Sequence, residues 1–224
     1  MCNIVEANVD VDPFGHDKIE KIAENLQKIG AGLILLTGGE PFMRPDIPDI
    51  VKIFKSRNLD VRSQTAGLVS KKNRVKEAME NGLRDISVSV DSLDEKKSDW
   101  INGLKDSWMN AIDMISFISR NFPDKDNICS LGAVLSKHNI KEILPLLDFC
   151  TEIGWWLSLV PVHSAAGDDA QLNFRGREDS MFNTKIKRDY GYNFQKDDFD
   201  DIKDLISILK EKKRNGSLLF DSDK

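Results

Sequence analysis

The sequence predicts an α/β fold in which parallel strands alternate with helices, and three observations lead there. Short apolar or β-branched runs recur at Leu33 to Thr37, Leu59 to Gln64, Asp85 to Val90, Ile128 to Val134 and Trp155 to Val160. The segments between them place apolar residues at three- and four-residue spacing, the mark of a helix with one buried stripe. Strand starts also recur evenly, 26 residues from Leu33 to Leu59, 26 from Leu59 to Asp85 and 27 from Ile128 to Trp155. Runs that are apolar throughout suit strands covered on both faces. A right-handed crossover at each step then gives either a partial barrel or an open doubly wound sheet.

In chain order, a helix over about Asp17 to Ile29 ends at the stop signal Gly30 and feeds the strand at Leu33. Ile47, Ile50, Val51 and Phe54 mark the next helix, and Val75, Ala78 and Met79 the one after it. Ser92 to Lys105 reads as an added loop, which accounts for the long interval before Ile128. Ala111, Ile112, Ile115 and Ile118 form a further stripe, as do Ile140, Ile143, Leu144 and Leu147. Beyond Val160 the pattern changes. Ser164 to Tyr192, rich in Gly, Asp, Asn and Arg, reads as a long loop or lid. A last amphipathic helix carries Ile202, Leu205, Ile206 and Leu209, followed by the turn signal Asn215-Gly216 and the apolar Leu218-Leu219-Phe220.

With 224 residues the chain can bury one sizeable core. Its 40% hydrophobic and 31% charged composition is that of an ordinary soluble protein, with no apolar stretch of membrane-spanning length and no amino-terminal signal pattern. The expected location is the cytoplasm. A net charge of -5 argues against a nucleic-acid surface, and the basic runs Lys185 to Arg188 and Lys210 to Arg214 read as solvated faces. Cys2, Cys129 and Cys150 are far apart with no CxxC pair, so disulfides do not organise the fold. Cys129 and Cys150 sit in apolar patterns and read as small buried side chains.

In both candidate architectures the chemistry lies at the carboxyl ends of the strands. Those positions are polar: Gly38-Gly39-Glu40-Pro41, Gln64-Thr65-Ala66-Gly67, Ser89-Val90-Asp91-Ser92, Leu135-Ser136-Lys137-His138 and Pro161-Val162-His163. The first is the most informative. Two glycines where a strand empties into a loop let a ligand approach the backbone, and Glu40 offers a carboxylate to a ligand cation. A plain turn with a solvated acid is the alternative reading of the same residues. His163 is a candidate at the strand-end mouth, whereas His138 belongs to a turn before a helix.

These residues carry a resemblance. From about Lys18 to His163 the chain resembles a radical S-adenosylmethionine (radical SAM) core domain. The match rests on Gly38-Gly39-Glu40-Pro41 followed by Phe42-Met43-Arg44-Pro45-Asp46, on the turn around Thr65, and on Ser87-Val88-Ser89-Val90-Asp91-Ser92. The resemblance implies a partial (β/α)6 TIM-like barrel of parallel strands holding S-adenosylmethionine and a 4Fe-4S cluster. It implies that Gly38, Gly39, Glu40 and Pro41 hold the methionine amino group, with Thr65 in the next turn. Ser89 and Asp91 would lie near the ribose and carboxylate, and Val160 against the adenine. The barrel would span residues 1–163, with residues 164–224 as a lid and carboxyl-terminal helix. The implied partners are a small-molecule or peptide substrate and an electron donor, while charge and composition lead to the expectation of no nucleic acid and no membrane. The implied chemistry is reductive cleavage of the cosubstrate to a 5′-deoxyadenosyl radical that takes hydrogen from the substrate.

The pattern departs at the amino terminus. The family's cluster needs three cysteines in a CxxxCxxC loop. If Cys2 begins that loop, the other two positions fall on Glu6 and Val9, so Cys2 is one of three expected ligands. Ile4 to Val9 read as a first strand is the alternative. Three explanations stay open: a truncated or misread start, a degenerate member that binds the cosubstrate or serves as a scaffold without radical chemistry, and an unrelated βα protein.

Overall fold

A computed structural model describes residues 14–67, 72–122, 127–162 and 194–220. Helix α1 (His16–Lys28) leads to strand β1 (Leu33–Leu36), a 3-10 turn at Pro41–Met43, and helix α2 (Ile47–Lys55). Strand β2 (Asp60–Thr65), α3 (Lys72–Glu80), β3 (Asp85–Ser89), α4 (Glu95–Asn102) and α5 (Ser107–Asn121) follow. Strand β4 (Ile128–Leu135), α6 (Ile143–Ile153), β5 (Trp156–Pro161) and α7 (Phe199–Arg214) complete the described elements.

The five strands form one parallel sheet in the order β1-β2-β3-β4-β5. Sequential order carries every connection in one direction. Right-handed crossovers therefore keep the helices on one face, as in a barrel, whereas a doubly wound sheet reverses its order. Of the two architectures open from periodicity alone, the order selects the barrel type.

The two faces differ in chemistry. Val61, Ile86, Val88, Leu131, Ala133 and Leu157 point to the helices and join Val51, Phe54, Ala78, Ile118 and Leu147 in one core. Register aligns the opposite face in cross-strand rows: Gln64 beside Ser87, Ser87 beside Ser130, Ser89 beside Gly132, Gly132 beside Ser158, and Val134 beside Val160. At the amino-terminal ends of the strands this face carries the Arg62–Asp85 ion pair at 3.2 Å. The Arg62 guanidinium lies 5.0 Å from the ring centre of Phe220, which meets Trp156 edge-on. Burial raises the pKa of Asp85, and the neighbouring Arg62 charge opposes that shift.

Two regions depart from expectation. Ser92 to Lys105 is not simply a loop, because it contains α4. Asp94 caps that helix by accepting from Lys97 N–H at 2.8 Å, and Gly103 closes it in a left-handed conformation. Only Ser98 of α4 is buried, so the segment has no apolar stripe for periodicity to detect. The carboxyl-terminal Leu218-Leu219-Phe220 joins the sheet: Leu157 N–H donates to the Leu218 carbonyl and Phe220 N–H to the Leu157 carbonyl, both at 2.8 Å, in a parallel bridge beside β5. Helix α7 buries Leu205 and Leu209, and Lys212 pairs with Asp148 of α6 at 2.6 Å. No helix among the described residues is long and apolar enough to cross a membrane.

Candidate functional site

Strand β1 ends at Leu36, and the chain turns through Thr37, Gly38 and Gly39. Gly38 has φ +140°, which side-chain-bearing residues rarely adopt, and a Cβ on it or on Gly39 would meet no atom within 4 Å. The backbone there borders open space. Glu40 is extended and starts the 3-10 turn, in which Pro41 occupies the first position and Phe42 is buried.

The Glu40 carboxylate is held by three donors from two parts of the chain. Thr65 Oγ1 lies 2.9 Å from both carboxylate oxygens, Ala66 N–H donates to Oε2 at 2.8 Å, and Phe42 N–H to Oε1 at 3.2 Å. Thr65 Oγ1 in turn accepts from Gly67 N–H at 3.0 Å. Gly67 must be glycine: its φ is +70°, and a Cβ there would lie 2.7 Å from Ala111 Cα. All three donors to Glu40 are neutral, and among the described residues no Lys, Arg or His forms an ion pair with it. A cavity of about 400 Å³ opens beside this carboxylate, lined by Thr37, Gly39, Glu40, Pro41 and Arg44 together with the apolar Ile19, Leu35 and Phe54.

Two arginines brace the turn. Arg44 forks onto Asp46 with bonds of 2.6 and 2.8 Å and donates to the Phe14 carbonyl at 2.5 Å. The adjacent guanidinium holds the Asp46 carboxyl below its ordinary pKa. His16 Nε2 also meets Asp46, at 2.9 Å. Asp46 stands in the capping position of α2, yet its side chain makes no capping bond and serves Arg44 instead. From α3, Arg74 Nη1 reaches the carbonyls of Phe42 and, at 3.3 Å, Met43.

A second carboxylate stands at the β3–β4 corner. Asp91 is 8% exposed, and its Oδ1 accepts from Val134 N–H at 2.7 Å. Burial raises its pKa, and the Val134 hydrogen bond opposes the shift. Asn139, fully buried, donates to the carbonyls of Asp91 at 3.0 Å and Val134 at 2.9 Å. Its Oδ1 accepts from Ser136 N–H at 2.8 Å and from Ser136 Oγ at 3.2 Å. Every polar group of the Asn139 amide is used in tying two strand ends together.

The structure thus gathers Gly38, Gly39, Glu40, Pro41 and Thr65 in one corner. Ser89 and Val160 are exposed on the helix-free face, in adjacent rows near its carboxyl end. Asp91 is turned towards β4. Cys2, Glu6, Val9, His163 and the lid segment Ser164 to Tyr192 lie outside the described residues. Sequence reasoning missed Arg74 and Asn139. The partners of Asn139 include Asp91, 48 residues away, and nothing local signals that pairing.

The donor set expected for an iron–sulfur cluster is not met among the described residues. Cys129 faces the core and Cys150 lies in α6, both free, and burial pushes each thiol up to about 12. Neither stands at the carboxyl end of a strand or supplies a thiolate at neutral pH. The residues that could hold a ligand ammonium are present: the Glu40 carboxylate, with unobstructed backbone at Gly38 and Gly39 beside it.

Known proteins share part of this sequence and its fold. The chain is 32% identical over 135 residues to a probable GTP 3′,8-cyclase of Archaeoglobus fulgidus, covering 59% of this chain and 43% of that protein. It is 25% identical over 139 residues to an AdoMet-dependent heme synthase of Methanosarcina barkeri, covering 62% and 38% respectively. The chain therefore spans less than half the length of these relatives. Among solved structures, Streptococcus suis SuiB bound to S-adenosylmethionine superposes with a TM-score of 0.65 at 20% identity, over 94% of this chain and 43% of that one. The anSMEcpe structure with bound AdoMet and Cp18Cys peptide gives 0.68 at 14% identity, over 97% and 58%. At such identities the superpositions speak for the fold alone. The family model for the radical SAM superfamily matches residues 1–150, and on that match the chain belongs to the radical SAM superfamily.

Proposed function

We propose that this chain binds S-adenosylmethionine at the carboxyl ends of its strands, with Glu40 receiving the ammonium group. The observation that carries the reading is the Glu40 carboxylate, fixed by Thr65, Ala66 and Phe42 and in no ion pair among the described residues. A carboxylate so placed gains from a cationic ligand, because its geometry is already set and little reorganisation follows binding. Gly38 and Gly39 allow the ligand backbone to approach, and Pro41 fixes the exit of the loop. Ser89 presents a hydroxyl on the helix-free face, Val160 an apolar surface for the adenine, and Asp91 stiffens the rim between them.

In this superfamily the bound sulfonium supplies the radical chemistry, with help from a cluster that the described residues do not fit. The residues here account for binding and orientation. The substrate is a small molecule or a peptide, since relatives carry names such as GTP 3′,8-cyclase and one solved neighbour is SuiB bound to its precursor peptide SuiA. Residues 1–163 form the binding core in this reading, and residues 164–224 a lid and closing helix. An external electron donor belongs to the enzyme form of the reading.

A second reading, a cosubstrate-binding or scaffold protein without radical chemistry, rests on the sequence of the cluster loop, in which Cys2 is the one cysteine of the three expected positions. Calorimetric titration with S-adenosylmethionine tests the shared claim: the chain binds it, and Glu40→Gln loses most of the affinity. Equal affinity in the two proteins rejects the site. Anaerobic reconstitution with iron and sulfide separates the readings, because a stoichiometric cluster with its visible absorption rejects the scaffold form.

A further inference from the structure

The Pro41–Met43 turn makes two internal bonds, Met43 N–H to the Glu40 carbonyl and Arg44 N–H to the Pro41 carbonyl. Arg44 then leaves helical geometry with ψ 120°, so the turn stops after one repeat. A continuing helix would satisfy the carbonyls of Phe42 and Met43. Both are taken by one side chain, Arg74 of α3, 31 and 32 residues further along the chain. Phe42 is therefore held from both sides: its carbonyl accepts from Arg74 and its N–H donates to Glu40 Oε1.

We propose that Arg74 is a positioning residue of the cosubstrate site, acting on Glu40 through Phe42. The assignment rests on the reading of Glu40 as the ammonium receptor. Glu40 has a donor of its own on each side, Phe42 N–H from the turn and Thr65 with Ala66 from the end of β2. Thr65 is fixed by sheet pairing as the last paired residue of β2, opposite Val88, and Ala66 follows it directly. A single-repeat turn has no such ladder, and Arg74 supplies the missing restraint. Burial of the Phe42 ring anchors its side chain, and the guanidinium on its carbonyl anchors its backbone.

The test is calorimetric titration of the full chain with S-adenosylmethionine, comparing wild type, Arg74→Met, Arg74→Lys, Glu40→Gln and the double variant Glu40→Gln/Arg74→Met. The expected result is about tenfold weaker binding for Arg74→Met, with Arg74→Lys recovering part of the loss because it keeps a charged donor. In the Glu40→Gln background the Arg74 substitution then adds little, since residues that act through one another are not additive. Amide hydrogen exchange of the peptide covering residues 40–44 should quicken in Arg74→Met while peptides from β3 and β4 stay protected. Unchanged affinity in Arg74→Met, or a full tenfold loss on top of Glu40→Gln, overturns the assignment to Arg74. Absence of binding by the wild-type chain overturns the reading of the site and this inference with it. If exchange quickens across the whole protein, Arg74 is a general structural residue and the assignment also fails.

Discussion

Two corners of the same sheet use one device for opposite ends. At the β1–β2 corner Glu40 accepts from the end of the neighbouring strand, through Thr65 and Ala66. At the β3–β4 corner Asp91 does the same, through Val134 N–H. Beside Glu40 the chain has two glycines, a short turn and a cavity, so the carboxylate is partly exposed with its geometry set. Beside Asp91 the chain supplies Asn139, which takes up the flanking carbonyls and closes the corner until Asp91 is 8% exposed. The difference lies in what the neighbours leave open: Asp91 is closed in as a rivet, whereas Glu40, the proposed ligand carboxylate, stays accessible.

Substitutions should separate the two corners. The largest expected effect is at the closed one: Asn139→Ala leaves the Asp91 and Val134 carbonyls and the Ser136 N–H without their partner, costing about 3 kcal/mol of stability. Urea unfolding measures it, and a cost below about 1 kcal/mol would mean that the corner is not riveted by this amide. Next comes Glu40→Gln at the open corner, expected to weaken S-adenosylmethionine binding by about 2 kcal/mol, roughly thirtyfold, with a midpoint of thermal unfolding close to wild type. A large loss of stability instead would make Glu40 a rivet as well.

Thr65→Val should follow at about 1 kcal/mol in the same titration, because it removes the hydroxyl that spans both Glu40 oxygens while Ala66 and Phe42 still hold the carboxylate. The smallest effect is expected at Asp91→Asn, and its sign depends on pH. Burial raises the Asp91 pKa in the folded state, so its ionised form costs stability once pH passes the unfolded value and rises through the folded one. The substituted amide keeps an acceptor for Val134 N–H without that charge. Denaturation series across pH should therefore show the variant gaining on wild type towards neutrality and losing that advantage in acid. A constant difference at every pH would place the Asp91 charge outside the energetics of the corner.

Much of the sheet is legible because its strands carry apolar residues into the helix-covered core. Strand starts read from apolar runs fall within a residue of the observed Leu33, Asp60, Asp85, Ile128 and Trp156. Helix α4 is illegible for the converse reason: it is fixed by Asp94 and Gly103 at its ends and buries only Ser98, so no stripe announces it. At the site, Gly38, Gly39 and Glu40 are readable as a local motif, and Thr65 as part of the next turn. What local patterns do not contain is the wiring between them. Glu40 meets Thr65 across 25 residues, Arg74 meets Phe42 across 32 and Asn139 meets Asp91 across 48, and each pairing exists only once strand register is set. Arg62 is equally opaque, a charged residue within a strand whose place is explained by Asp85 on one side and Phe220 on the other.

The sequential strand order has a metric consequence. Neighbouring strands lie about 4.8 Å apart, so the rim from the Glu40–Thr65 corner at β2 to Val160 on β5 is a ruler of roughly 14 Å along the sheet. An amino acid held at Glu40 covers only the first division of that ruler. A ligand that also reaches Val160 must be long and laid crosswise to the strands, so chain length, as well as charge, becomes a criterion for what this rim accepts.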